Sequence, residues 1–168
     1  DTGRQNTMNY EVVVVGAGPA GSTAARECAR LGLSTLCLEE HGTIGYPVQC
    51  AGLLSTAAFA ECRISSERSV LNKVTGAHVI SDAGSELLID AKTTKAVVVD
   101  RGTLDREMAE AAADGGVEFR LKTAVYDVRK KTVFTRGVNG NEETGFYILI
   151  AADGPRSTIA RLYGMERA

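Results

Sequence analysis

An apolar, β-branched run over residues 10–15 ends abruptly in Gly-Ala-Gly-Pro-Ala-Gly at residues 16–21. The run predicts a buried strand. The Ala-rich residues 22–31, broken by Arg26, Glu27 and Arg30, predict a helix that stops at Gly32. Residues 33–38 read as a second strand, closed by Glu39 and Glu40. Strand, turn, helix and strand make a βαβ unit, whose strands are parallel because the helix carries the chain back to the same end. In Gly16-x-Gly18-x-x-Gly21, Gly16 permits the tight turn and Gly18 lets the backbone approach a pyrophosphate with no Cβ in the way. Gly21 lets the helix pack closely on the strand. The N-terminus of that helix offers free N–H groups and a positive dipole end to phosphates. A carboxylate at Glu39 can accept hydrogen bonds from both ribose hydroxyls of an adenosine. Together these residues predict a dinucleotide site. A 2′-phosphate would be repelled by Glu39 and Glu40, which disfavours NADP and leaves FAD or NAD.

Beyond this unit, residues 41–52 contain three glycines and Pro47 and read as a loop, followed by a short helix over 53–62. Strand-like runs cover 74–81, 86–90 and 96–100, with a hairpin turn at Asp82-Ala83-Gly84. A helix over 103–114 places Leu104, Met108, Ala111 and Ala112 on one face and ends at Gly115-Gly116. Strands follow at 117–120, 124–129, 132–138 and 146–151, the last pair turned at Asn139-Gly140-Asn141. Residues 1–7 are polar and patternless and read as a tail, so the expected domain runs over 8–168.

A second motif lies at residues 148–157, Ile-Leu-Ile-Ala-Ala-Asp-Gly-Pro-Arg-Ser. It is an apolar strand running into the Asp153-Gly154 turn, with a short helix beyond it over 157–163. An Asp-Gly-Pro turn alone is ordinary turn chemistry; paired with the glycine motif it means more.

Composition excludes several classes. Nineteen basic against 21 acidic side chains leave no cationic excess for a nucleic-acid partner. The four cysteines, Cys28, Cys37, Cys50 and Cys62, lack C-x-x-C spacing, and His41 and His78 are the sole histidines, so no metal site is expected. Cys28 and Cys37 read as small buried apolar residues. With no apolar run near 18 residues and no secretory pattern, a cytoplasmic protein is expected.

The motifs together resemble a known family. Gly-Ala-Gly-Pro-Ala-Gly-Ser, Glu39, Val99-Asp100-Arg101 before Leu104-Asp105-Arg106, and Ala152-Asp153-Gly154-Pro155-Arg156-Ser157 are similar to the FAD domain of the para-hydroxybenzoate hydroxylase fold. Residues 44–55, Ile-Gly-Tyr-Pro-Val-Gln-Cys-Ala-Gly-Leu-Leu-Ser, most resemble its geranylgeranyl reductase branch, which saturates isoprenoid double bonds. The resemblance implies an α/β, Rossmann-type FAD-binding domain with a parallel central sheet and additional antiparallel strands. It implies FAD as cofactor, with Gly16, Gly18, Pro19, Ala20 and Gly21 around the pyrophosphate and Glu39 and Glu40 at the adenosine ribose. Arg101 would contact FAD from the start of its helix. Asp153 and Gly154 would form the Asp-Gly turn near the cofactor, and Cys50 and Ala51 would lie on the loop facing the isoalloxazine. The sequence departs from the family at Glu40 and His41, where a basic residue often follows the ribose acid, and at Ala151, where a glycine is common.

The resemblance further implies a reductase in which Cys50 is a candidate proton relay, although a thiol of pKa about 8.5 is a poor acid toward an alkene. A flavin monooxygenase, or a nucleotide-binding module with no catalysis of its own, stays open beside it. The family's third FAD motif and its substrate sheet would lie beyond Ser157, so 168 residues are expected to be part of an enzyme, inactive alone. Residues 74–100 would begin the substrate sheet. An isoprenoid lipid substrate would favour peripheral contact with a membrane surface, yet no amphipathic anchor is evident. The residues do not identify the electron donor.

Overall fold

The computed structural model describes residues 9–48, 50–64 and 67–165. The expected tail over 1–7, Met8 and Gln49 of the Pro-Val-Gln-Cys loop lie outside the described residues. The chain divides into two compact units. One is drawn from the stretches before and including Tyr46 and from Asp105 onward, and the other is Pro47–Leu104.

In the first unit, β1 (Asn9–Val15) leads into α1 (Pro19–Arg30) and then β2 (Thr35–Leu38). Val12, Val13 and Val14 are wholly buried, as a parallel strand covered on both faces requires. α1 starts at Pro19, three residues before the expected Ser22, because Gly18 takes the N-cap position and proline's fixed φ suits the first helical turn. It ends as expected at Gly32, whose φ of +82° closes the helix. There the Gly32 N–H donates to the Ala29 carbonyl and the Leu33 N–H to that of Cys28. Helix α3 (Arg101–Asp114) crosses the boundary between the units and is followed in the first by β8 (Glu118–Arg120), β9 (Ala124–Arg129), β10 (Thr132–Gly137), β11 (Gly140–Ala151) and α4 (Thr158–Leu162). The six strands run β8-β2-β1-β11-β10-β9.

β11 does two jobs. Its first half pairs antiparallel with β10 (Val133 against Thr144, Thr135 against Glu142), and its second half pairs parallel with β1 (Val12 against Ile148, Val15 against Ala151). The sequence places the start of this strand at Phe146, six residues late. Gly140 to Gly145 carry too many polar residues to read as strand, and their pairing partner decides the matter. One core cluster lies on the α1 side, where Ala25 and Ala112 meet Val12, Val14 and Cys37. The other lies under the β9–β11 meander, where Val125, Val133 and Phe146 cover Val13, Leu36 and Leu38.

At the foot of β1 the Tyr10 hydroxyl donates to Glu118 Oε2 at 2.5 Å and accepts from the Arg120 guanidinium at 3.0 Å. Arg120 also pairs with Glu118 and Glu142, tying β1, β8 and β11 together. Burial first, and the bond to Glu118 second, push the Tyr10 hydroxyl up to about 12. The folded chain therefore keeps the neutral phenol where the unfolded chain, with tyrosine near pKa 10, ionises. This contribution to stability is complete below about pH 10 and is lost as pH rises to about 12. Urea midpoints at pH 9 and pH 11 should fall more for the wild type than for Tyr10→Phe; equal falls would remove Tyr10 as the cause.

The second unit contains β3 (Leu53–Ser55), α2 (Thr56–Glu61), β4 (Val70–Val74), β5 (Gly76–Ile80), β6 (Glu86–Asp90) and β7 (Ala96–Val99). They form a β3-β7-β4 sheet and a separate β5-β6 hairpin. Two expectations need correcting. The helix expected over 53–62 is confined to α2, because Ser55 Oγ accepts the Ala58 N–H and caps it, while Leu53, Leu54 and Ser55 pair with β7. The strand expected over 74–81 is β5, which pairs with β6, and Val74 instead ends β4, a strand not expected from the sequence, which pairs with β7.

Candidate cofactor site

The chain leaves β1 for β2 and β8 on one side, and β11 lies on the other, so the sheet order reverses between β1 and β11. In such sheets the crevice outside the carboxyl ends of the strands at the reversal is where ligands bind. The glycine turn occupies that place. Gly16, at φ +98°, donates its N–H to the Leu38 carbonyl, and a Cβ on it would lie 2.3 Å from the Ala152 carbonyl oxygen. A Cβ on Gly21 would lie 1.8 Å from the Gly16 oxygen. Those two glycines are therefore needed for packing within the protein.

Gly18 differs. Nothing lies within 4 Å of where its Cβ would stand, and no side chain caps α1. Pro19 has no N–H, and the N–H groups of Ala20 and Gly21 belong to the first helical turn, which has no carbonyl of its own to meet. Open space, helix-end N–H groups and a positive dipole end fit a pyrophosphate.

Glu39 stands at the end of β2, 9% exposed. Its Oε2 accepts the Ala17 N–H at 2.8 Å, which fixes the middle of the glycine turn. Its Oε1 accepts the His41 N–H at 2.9 Å and lies 2.7 Å from His41 Nδ1. His41 escapes a reading by residue pattern, since only the folded loop brings its ring onto the carboxylate. Glu40 is exposed. Cys37, wholly buried beneath the turn, has its thiol pushed up to about 12 by burial and then by the Glu39 charge, which makes it an inert packing residue.

The Asp-Gly turn abuts the glycine turn across the β1–β11 pair, where the Ala152 N–H donates to the Val15 carbonyl. Asp153 faces its own chain: Oδ1 accepts the Ser157 hydroxyl at 2.6 Å and Oδ2 the Ile159 N–H at 3.1 Å. Ser157 Oγ in turn accepts the Ala160 N–H and caps α4. Asp153 thus shapes the rim of the crevice, with Gly154 taking the left-handed turn at φ +75°.

The remaining predicted residues belong to the second unit. Asp100 Oδ1 accepts the Thr103 N–H at 2.6 Å and caps α3, of which Arg101 is the first residue. Gly52, at φ +74°, packs against the Val99 carbonyl and accepts the Val99 N–H at 2.8 Å. The loop carrying Cys50 and Ala51 is thereby fastened to β7, the strand that leads into α3 and Arg101. Cys50 is exposed, and its sulfur accepts the Gly52 N–H at 3.4 Å. The structure thus gathers Gly16 to Gly21, Glu39, Asp153 and Gly154 in one unit, and Cys50, Ala51 and Arg101 in the other.

Among the described residues no helix is long and apolar enough to cross a membrane.

The digeranylgeranylglycerophospholipid reductase 2 of Methanothermobacter thermautotrophicus is 35% identical over 95% of this chain and 43% of its own length. The "uncharacterized protein in nifH2 5'region" of Methanosarcina barkeri is 35% identical over 94% of this chain and 89% of its own. A geranylgeranyl bacteriochlorophyll reductase-like protein from Thermoplasma acidophilum superposes with a TM-score of 0.90 at 30% identity, over 97% of this chain and 44% of that one. The chain therefore spans less than half the length of the reductases it matches. The family described as FAD binding domain matches residues 9–168, the same span that carries the crevice, the open Gly18 position and Glu39. The chain belongs to that family, and FAD is its cofactor.

Proposed function

We propose that the chain forms the FAD-binding part of a flavin-dependent reductase that saturates isoprenoid double bonds. The observation that carries the cofactor end is the glycine turn at the sheet reversal, with open space at Gly18 and the α1 N-terminus behind it. When bound, FAD supplies two-electron chemistry, a hydride equivalent passed to one alkene carbon. This chain's residues bind and orient it. The α1 N-terminus and Gly18 hold the pyrophosphate, Glu39 with Glu40 beside it holds the ribose, and the Asp153-Gly154 turn forms the rim. Arg101 contacts the cofactor from the start of α3. Cys50 and Ala51 are the residues that would meet the flavin ring, where the Cys50 thiol would hold the proton due to the second alkene carbon.

The substrate class is supported by the relatives named as digeranylgeranylglycerophospholipid reductases. It is also supported by the β5-β6 hairpin, which exposes Val79, Ile80, Leu87, Leu88 and Ile89. A substrate of this class brings the protein to a lipid surface. Mixed with FAD, the chain should hold flavin through gel filtration, and Cys50→Ser should alter the visible spectrum of that flavin while leaving its affinity unchanged. In the whole reductase of which the chain would be a part, flavin reduced without air should be reoxidised by a geranylgeranyl phospholipid. Failure to retain flavin overturns the cofactor arrangement; failure of the lipid to reoxidise it overturns the reductase, and a hydroxylated product formed only with oxygen favours a monooxygenase.

A further inference from the structure

We propose that the His41 imidazole sits where a ribose hydroxyl would donate to Glu39, so that His41 determines how many of the two hydroxyls Glu39 can read. The inference rests on the FAD reading above and refines its ribose end. An ionised carboxylate offers about four lone-pair sites, two on each oxygen. On Glu39, Oε1 accepts the His41 N–H at 2.9 Å and the His41 Nδ1–H at 2.7 Å, which fills it. Oε2 accepts the Ala17 N–H at 2.8 Å and keeps one site. A ribose diol brings two donors to that one site.

Of the three donors in place, two are backbone groups held by the fold. The Ala17 N–H belongs to the glycine turn, and residue 41 is anchored by its carbonyl, which accepts the Lys122 N–H at 3.0 Å. The imidazole is the movable one. Its side chain is 48% exposed against 11% for that of Glu39, and its Nε2 lies 4.0 Å from Glu40 Oε1, beyond hydrogen-bond reach. Removing the ring frees one site on Oε1 while the two backbone donors keep the carboxylate aimed. The position of the imidazole is thus a specificity element: in place, it restricts Glu39 to one hydroxyl; absent, it admits both.

The test titrates the whole chain, His41→Ala and His41→Asn with FAD, ADP, 2′-deoxy-ADP and 3′-deoxy-ADP by calorimetry. Asparagine places an amide nitrogen where Nδ1 stands and should behave as the wild type. His41→Ala should bind ADP and FAD more tightly by about tenfold or more, the scale of one hydrogen bond to a charged acceptor. That gain should vanish with at least one deoxy analogue. A His41→Ala chain that binds no more tightly than wild type overturns the inference, and so does a gain that persists with both analogues. If the wild type binds neither FAD nor ADP, the cofactor arrangement fails and this inference with it. If it binds and no gain appears, the ribose inference alone falls.

Discussion

Gly21→Ala should destabilise the chain by roughly 2–3 kcal/mol, the upper part of the range for overpacking a close contact. Its direction is opposite to what helix propensity predicts, since alanine in place of a helical glycine ordinarily gains up to about 1 kcal/mol. The reason is the 1.8 Å approach of the new Cβ to the Gly16 carbonyl oxygen, which is backbone and has little room to yield. Gly16 is held on one side by its bond to the Leu38 carbonyl and on the other by Ala152. Relief must come from α1 lifting off β1, which opens the contact of Ala25 with Val12 and Val14. A fall in melting temperature of roughly 5–10 °C is expected for a chain of this size. A melting curve unchanged or raised would show that the helix does not sit as closely as described.

Gly18→Ala should do the reverse. Its Cβ enters open space and its φ of −68° suits any residue, so the melting temperature should hold within the change typical of a surface substitution, about 0.5 kcal/mol. FAD affinity should nonetheless fall by about tenfold or more. The methyl group stands where the phosphates approach the α1 N–H groups, and each bond lost to a charged group is worth about 1.5–3 kcal/mol. Flavin fluorescence quenching measures it. If Gly18→Ala binds FAD as the wild type does, the pyrophosphate lies elsewhere. Together the two variants separate the glycine that serves the protein from the glycine that serves the ligand.

The β1–turn–α1–β2 unit could be read from the residues because its determinants are local: a β-branched run, three spaced glycines, an Ala-rich stretch and an acid at the next strand end. Cys37 is buried as expected, whereas Cys28, read the same way, is half-buried on α1. Elements whose partners are distant could not be read so well. The three residues of β3 are strand only because β7 runs beside them, and residues 140–145 are strand only because β10 does. At the site, the sequence pointed to Glu39 as a carboxylate with both oxygens available, while the fold commits most of its acceptor capacity to Ala17 and His41. Asp153 read as a residue near the cofactor. Its bonds to Ser157 and Ile159 depend on α4 starting five residues later, a geometry that motif spacing does not convey.

The β1–β11 pairing has one more consequence. The two walls of the crevice, Gly16 and Ala152, meet in space although more than a hundred residues separate them along the chain. Closing a loop of that length costs on the order of 4 kcal/mol in chain entropy, before any constant term. A peptide excised around the glycine motif would carry the fingerprint and lack the opposite wall. A dinucleotide touching both walls would act as a clasp across that loop, and its binding energy would add to the stability of the fold.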